Sequence, residues 1–423
     1  MSEVKPNGLD VESLRAAYPA LRHEINGKTP VYFDNACTAL KPRVVSERLA
    51  DFYANYGGCG GKRSTHLLAQ ETEQWWQGTR KKIAAFLNAE KPEEIIYTSG
   101  TTEGINIVAR AFPYEDGRRE VVITEMEHNS VLLPFYEAAQ RGEVELKICP
   151  IVNGRLDIAA LEKLVTRKTA LIAMAHSSNV IGGVFPVTQA ARIAHAKGAK
   201  ILIDDAQYLA SHRHDVRATN VDFVAFSAHK IGGPFGIGAL YGKEHLLNRL
   251  GHNKIGGGTV KDIKRDGDAV EAVYLDAPMR FEAGVQNFGG AAAFGDALDH
   301  LTALPQRAVR SHIEKLVRRM IAGLQKIPQV KILGDPEVLA EGSLVSFYPT
   351  DETISPRDFA LYINHELPER YIALRVGEHC AHLLHKTQRI SGTIRTSFAA
   401  YNTEEEVDFF LAGLASYIKE AMS

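Results

Sequence analysis

No apolar run in this sequence approaches the ~18 residues that a membrane-spanning helix needs. The opening stretch, MSEVKPNGLDVESLRAAYPAL, mixes both charges and lacks the apolar segment of a secretory signal. There is no excess of either charge, with 49 Lys plus Arg against 51 Asp plus Glu, and no long like-charge block. That balance argues against an electrostatic nucleic-acid partner and against a basic membrane patch. Cysteine is scarce: Cys37, Cys59, Cys149 and Cys380 are the four in 423 residues. So few thiols make no disulfide framework for a chain this long, and they suit a reducing compartment. The expectation is a cytoplasmic protein in which a cysteine is either a core residue or a reactive thiol. Internal repeats and low-complexity segments are absent as well.

What is present is ordinary globular material, 45% hydrophobic and 24% charged, enough for a sizeable core. Residues 10–22 read as a short helix, 31–36 as an extended segment, and 70–88 as a helix by the spacing of its apolar residues. Trp75 and Trp76 on that helix read as core packing. From about 94 to 242, short apolar strands alternate with helical stretches. The strands are expected at 94–98, 120–124, 169–175, 200–204, 222–227 and 238–241, with helices such as 102–111 and 188–197 between them. Near-continuous apolar strands alternating with helices predict a mostly parallel sheet covered on both faces. Cys149, at the end of a further expected strand in VELKIC, reads as core. After about 300 the pattern changes to a long helix (306–327), a strand-like GSLVSFYPT and a final helix (403–421), which predicts a smaller α+β domain.

Ligands of such sheets bind beyond the carboxyl ends of the strands. Polar clusters follow several of them. YTSGTTEGIN (97–106) sets Gly100, Thr101 and Thr102 at a helix start, where free N–H groups and hydroxyls could cradle a phosphate or simply cap the helix. TEMEHNSV places His128 just past a strand, and AHSSNVIGG places His176 and Asn179. ILIDDAQ ends an apolar strand in Asp204, either a cap or a fixed charge for a ligand cation. DFVAFSAHKIGGPFGIG puts Ser227, His229 and Lys230 before a glycine-rich turn. A lysine so placed suits a Schiff base, which needs a lowered amine pKa and close approach of a cofactor. A phosphate cradle, a ring-stacking histidine, an acid for a pyridinium nitrogen and a reactive lysine together match pyridoxal 5'-phosphate.

In these motifs the chain resembles the class V aminotransferase family, the α/β fold-type I pyridoxal-phosphate enzymes. Within it, the resemblance is to the cysteine desulfurase and selenocysteine lyase-like branch, from about residue 30 to the C-terminus. VYFDNA, GTTEGIN, EHN (127–129), HSSNVIGG, DDAQ, FSAHKIGGPFGIG, GGG (256–258), RFEAG (280–284), GEHCA (377–381) and IRTSFAAYNTEEEVD (394–408) carry it. It implies a large cofactor-binding domain over 31–300 with a seven-stranded, mostly parallel sheet. It also implies a small α+β domain over 301–423 carrying Cys380 and Arg395, with residues 1–30 packing on the small domain. Carried over, Lys230 holds the cofactor and shuttles protons, and His128 stacks on the ring and assists proton transfer. Asp204 pairs with the ring nitrogen, while Gln207 and Asn179 bond near the ring hydroxyl. Thr101, Thr102, Ser227 and His229 hold the phosphate. Arg395 clamps the substrate carboxylate, with Asn179 and Asn35 beside it. Cys380 becomes a persulfide. No metal is implied.

The implied reaction takes L-cysteine to L-alanine and passes sulfur from Cys380 to an acceptor protein for iron–sulfur cluster or thiocofactor assembly, in a homodimer. The alternatives are another class V reaction (a C–S or C–Se lyase, an epimerase or an aminotransferase) and an idle homologue serving as a docking scaffold. Two departures stand out. Val285 replaces the family's threonine after the RFEAG glycine, so a phosphate contact across the dimer is absent or replaced. Cys37 and Cys59 are additional thiols in segments that map near the substrate end of the site, either inert or able to relay sulfur.

Overall fold

The computed structural model describes residues 8–61, 65–115, 117–351, 355–367 and 369–421. Its centre is a seven-stranded sheet. The strands are β1 (Ile95–Thr98), β2 (Glu120–Thr124), β3 (Glu145–Cys149), β4 (Thr169–Ala175), β5 (Lys200–Asp204), β6 (Phe223–Ser227) and β7 (Gly238–Gly242). In space they run β1-β7-β6-β5-β4-β2-β3. All neighbours are parallel except at β7, which is antiparallel to both β1 and β6. The run of buried residues along β1, β2, β4, β6 and β7 follows from helices lying on both faces. Two large apolar clusters, one on each side, fill the layers.

On one face, helix α1 (Thr101–Ala111) buries Ile105, Val108 and Ala109. It lies close to the sheet because Gly104 carries no side chain: a Cβ there would come within 3.0 Å of the Ala225 Cβ. Beyond the sheet, a four-stranded antiparallel sheet is built from β8 (Val330–Ile332), β9 (Leu344–Pro349), β10 (Arg375–Gly377) and β11 (Thr393–Ser397), in the order β8-β9-β11-β10. The helices Gln306–Leu324 and Glu404–Ala421 belong to the same part of the chain.

The start of the chain is stitched to its end. Arg15 donates to the Tyr401 carbonyl and to Glu406, and Leu14, Tyr18, Leu21 and Tyr401 form one apolar cluster. Thr29–Tyr32 pairs in parallel with Arg370–Ala373, and Asp34 bridges Ser397. The segment expected as helix over 10–22 is broken: Val11–Ala16 is α-helical, and a separate 3-10 turn begins at Pro19, which has no N–H to continue the ladder. The exposed hairpin of Val260–Asp266 and Ala269–Tyr274 has no counterpart in the expected elements.

Candidate active site

The carboxyl ends of β1, β2, β4, β5 and β6 meet the turn at 34–39 and the segment 375–380 around a cavity of about 280 Å³. At its base, Lys230 sits in a 3-10 turn right after β6, closed by Gly232 in the left-handed region (φ 84°). Burial pulls the Lys230 ammonium below the ordinary lysine range, opposed by the carboxylate of Asp204. Burial in turn raises Asp204, opposed by Lys230 and by a 2.9 Å bond from the Ala206 N–H. Each group is thus the other's counter-charge in a water-poor site.

The loop leaving β1 forms a cradle. Ser227 Oγ accepts from the Thr101 N–H at 2.8 Å and lies 2.7 Å from Thr101 Oγ1. Gly100 keeps that approach open, since a Cβ would crowd Ser227 Oγ at 3.0 Å. Thr102 Oγ1 and Ser130 Oγ are 2.8 Å apart, so the hydroxyls of two helix starts converge. His229 joins the cradle, and its buried Nδ1 has no partner among the described residues. An anion with several oxygens fits this set of N–H and O–H donors at a helix start.

His128 is the N-cap of the helix Asn129–Gln140, with Nδ1 accepting from the Ser130 N–H at 3.0 Å. That bond places the ring proton on Nε2. Burial, with Lys230 and Arg395 nearby, holds the imidazole down at about 4, so it is neutral at physiological pH. Behind it, Glu127 is fully buried and pushed up to about 8 by burial.

The opposite wall comes from the C-terminal sheet. Arg395 on β11 donates through Nη1 to the Asn179 carbonyl at 2.9 Å, and its buried Nε has no partner among the described residues. Burial lowers Arg395, and Asp34 opposes that effect. Arg375 on β10 grips Asp34, with Nη2 at 2.7 Å from Oδ2. Cys380 lies at the mouth. It and His379 both have left-handed backbone (φ 56° and 50°), a conformation that costs on the order of 1 kcal/mol each without glycine. Two bonds hold them there: Asn179 Nδ2 to the His379 carbonyl at 2.6 Å, and the Asn129 N–H to the Cys380 carbonyl at 2.7 Å.

The cavity therefore gathers Lys230, His128, Asp204, Asn179 and Gln207 with the threonines of the cradle, Ser227, His229, Arg395 and Cys380. Gln207 anchors the turn above it, donating to the Ala36 carbonyl at 2.8 Å. Asn35 is not among the lining residues. Its amide is spent on the Tyr32 and Ser397 carbonyls and on the side chains of Asn402 and Tyr401. Cys37 lines the cavity, whereas Cys59 is exposed outside it. His176 is buried behind the site, stacked on Tyr208 and bonded to Asp205, which also holds His214. Arg375, Ser130 and His379 line the site without having been singled out from sequence. For Arg375, the signal was its position five residues before Cys380 on a short strand.

A mostly parallel α/β sheet with a lysine between β6 and an antiparallel β7, facing a helix-start anion cradle, defines the fold-type I class. The chain belongs to the class V aminotransferase family, whose model matches residues 31–410. It is similar over 411 residues, at 36% identity, to a cysteine desulfurase of Serratia proteamaculans, covering 96% of this chain and 97% of that one. The cysteine desulfurase CsdA (S-sulfonic acid) from Escherichia coli superposes with a TM-score of 0.86 at 31% identity, covering 98% of this chain and 99% of that one. An apo cysteine desulfurase from Thermococcus onnurineus NA1 superposes with a TM-score of 0.88 at 31% identity, covering 99% of this chain and 100% of that one.

Proposed function

We propose that the protein is a pyridoxal-phosphate-dependent cysteine desulfurase that holds substrate sulfur as a persulfide on Cys380. The observation that carries this reading is the placing of Cys380 and Lys230 in one cavity, with the unspent Nε of Arg395 in its wall. The residues present fit the cofactor: a helix-start cradle for its phosphate, an acid beside the lysine for its ring nitrogen, and a neutral histidine to stack. When bound, pyridoxal phosphate supplies a conjugated ring that takes up electrons released at the substrate's Cα.

The chain's own groups do the rest. Thr101, Thr102, Ser227 and His229 would hold the phosphate, and Gln207 and Asn179 would hold the ring hydroxyl. Asp204 keeps the ring nitrogen protonated, because a carboxylate facing a cation in a dry site loses its counter-charge if the proton leaves. Lys230 anchors the cofactor and, as a free amine, accepts and returns a proton. Neutral His128 presents its Nε2–H as a hydrogen-bond donor and keeps that proton. Arg395 orients the substrate carboxylate. The Cys380 thiolate takes the sulfur: an S–S bond forms, the substrate's C–S bond breaks with its electron pair left on Cβ, and a proton taken up there makes the methyl group of alanine.

The persulfide is then passed to a protein acceptor for cluster or thiocofactor assembly in the cytoplasm. A second copy of the chain covers the exposed Phe235, Ile255 and Val285, which are 65%, 64% and 82% accessible. Hydrogen bonds from Asn287 to the Gly236 carbonyl and from the Gly284 N–H to the Gly257 carbonyl join their segments into one surface. The chain carries cofactor chemistry over about 31–300 and sulfur capture over 301–423.

Mixing cofactor-loaded protein with L-cysteine and following alanine tests the reading, for wild type and Cys380→Ser. Alanine formation that depends on Cys380 supports it. Alanine at an unchanged rate from the variant refutes the persulfide role, and cofactor binding with no alanine moves the protein to another amino-acid substrate.

A further inference from the structure

Cys37 is not part of the apolar core. Cys149, the buried thiol, belongs to the main apolar cluster, but Cys37 is only half-buried and lies in neither large cluster. It instead lines the same cavity as Cys380 and Lys230. Its backbone is held firmly. The Cys37 N–H donates to the Asp34 carbonyl at 3.0 Å, and on either side the Ala36 carbonyl is taken by Gln207 and the Ala39 N–H by the His229 carbonyl. The thiol is presented by a fixed turn bound to the residue next to Lys230.

Its surroundings are cationic. Lys230, Arg375 and Arg395 line the same cavity, the two arginines sharing Asp34. Lys41 is tied to the same turn through Thr38 Oγ1 at 2.9 Å and the His229 carbonyl at 3.0 Å. Reactive cysteines sit in such electropositive, partly open places. Lys230 feels both Cys37 and Cys380, so both sulfurs lie within electrostatic reach of one ammonium. In the same wall Arg395 is 3.5 Å from Asp34, yet its buried Nε has no partner among the described residues.

We infer that Cys37 is a second sulfur carrier, taking the outer sulfur of the Cys380 persulfide inside the cavity. This rests on the desulfurase reading. The Cys37 thiolate attacks the outer sulfur, a new S–S bond forms at Cys37, the S–S bond at Cys380 breaks, and Cys380 leaves as a thiolate. The exchange is a thiol–persulfide transfer with no net oxidation. It frees Cys380 for a second L-cysteine while the first sulfur is still on the protein, so each chain stores two sulfurs before an acceptor arrives.

The test uses cofactor-loaded protein with L-cysteine, without reductant or acceptor. The reaction is quenched in the first seconds, the persulfides are alkylated, and the peptides carrying Cys37 and Cys380 are weighed. The expected result is sulfur on both peptides and an alanine burst of two per chain, falling about twofold in Cys37→Ala. Sulfur on Cys380 alone, with a burst of one, overturns the relay and leaves the desulfurase reading intact. Sulfur reaching Cys37 in Cys380→Ser overturns the order of transfer, and a Cys37–Cys380 disulfide in place of a persulfide overturns the carrier role. No alanine from wild type fails the underlying reading instead.

Discussion

The N–H of Asn129 donates to the carbonyl of Cys380 at 2.7 Å, tying the first residue of the His128-capped helix to the left-handed turn that carries the thiol. Asn129 also reaches His382 through its side chain at 2.9 Å. Proline is well tolerated at a first helical position, and His128 already has the extended backbone that a following proline requires (φ −62°, ψ 149°). Asn129→Pro therefore deletes both bonds and spares the helix, whereas Asn129→Ala deletes only the side-chain one. One hydrogen bond is worth about 1 kcal/mol, so Asn129→Pro should lower the rate of alanine formation roughly fivefold below Asn129→Ala. Equal rates in the two variants would show that the Cys380 turn stands without this support.

Glu127 supplies a pH signature. Its carboxyl is raised from 4.5 to about 8 in the folded protein, mainly by burial, with Asp204 adding to the effect. The folded chain then keeps a proton that the unfolded chain releases, so this group removes stability as pH rises from about 4.5 to about 8. Glu127→Gln cannot titrate, and it still accepts from the Ala175 N–H. Measured against wild type, its melting temperature should gain at least about 2 °C between pH 5 and pH 8. A constant difference across that range would show that Glu127 is not protonated in the fold.

Arg395 offers a planar fork, part of it already used on the Asn179 carbonyl. Lysine keeps the charge but not the fork. Arg395→Lys should reduce kcat/KM for L-cysteine by about 100-fold, mostly through KM, consistent with a lost bidentate carboxylate contact. A change confined to kcat would place Arg395 elsewhere in the reaction.

Arg80 and Glu282 form a doubly bonded, buried ion pair, with both N···O distances at 2.8 Å. Arg80 also donates to the Ile95 carbonyl, and Glu282 accepts from the Tyr97 N–H at 2.9 Å. The RFEAG segment is thereby bolted under β1. Glu282→Ala strands a buried guanidinium and should cost about 3–5 kcal/mol in urea unfolding. A loss below about 1 kcal/mol would mean that water reaches the pair.

The sheet was legible because burial on both faces leaves little freedom in composition: β4 is apolar at six of the seven positions of TALIAMA, and its boundaries match the expectation. Most of the residues expected at strand ends meet at one cavity, because the parallel strands open on the same side of the sheet. Other features depend on partners that a linear reading does not reveal. Arg375 gains meaning only through Asp34, 341 positions away. Asn35 looked like a ligand residue and instead joins the chain's two ends, because Tyr401 and Asn402 fold back onto it. The hairpin at 260–274 escaped notice because both strands are exposed: VKDIKRD is charge-rich, and the apolar residues of AVEAVY do not alternate with polar ones. Trp76 is buried as expected, but Trp75 is half-exposed against Phe52, Tyr56 and Arg48.

Ser227 and Gly238 face each other as the register pair closing the loop that holds Lys230, and a Cβ on Gly238 would strike the Phe226 carbonyl at 2.4 Å and Gly100 Cα at 2.7 Å. Both ends of that loop are clamped, one by hydrogen bonds across the strands and one by backbone pressed on backbone. Length variation cannot be absorbed between 228 and 237, since one added residue would either turn the lysine out of the cavity or slide β7 along its neighbours. Insertion scanning of the gene should therefore show an intolerant window here, while the exposed tip at Gly267 and Asp268 accepts new sequence and offers a place for a tag or a reporter domain.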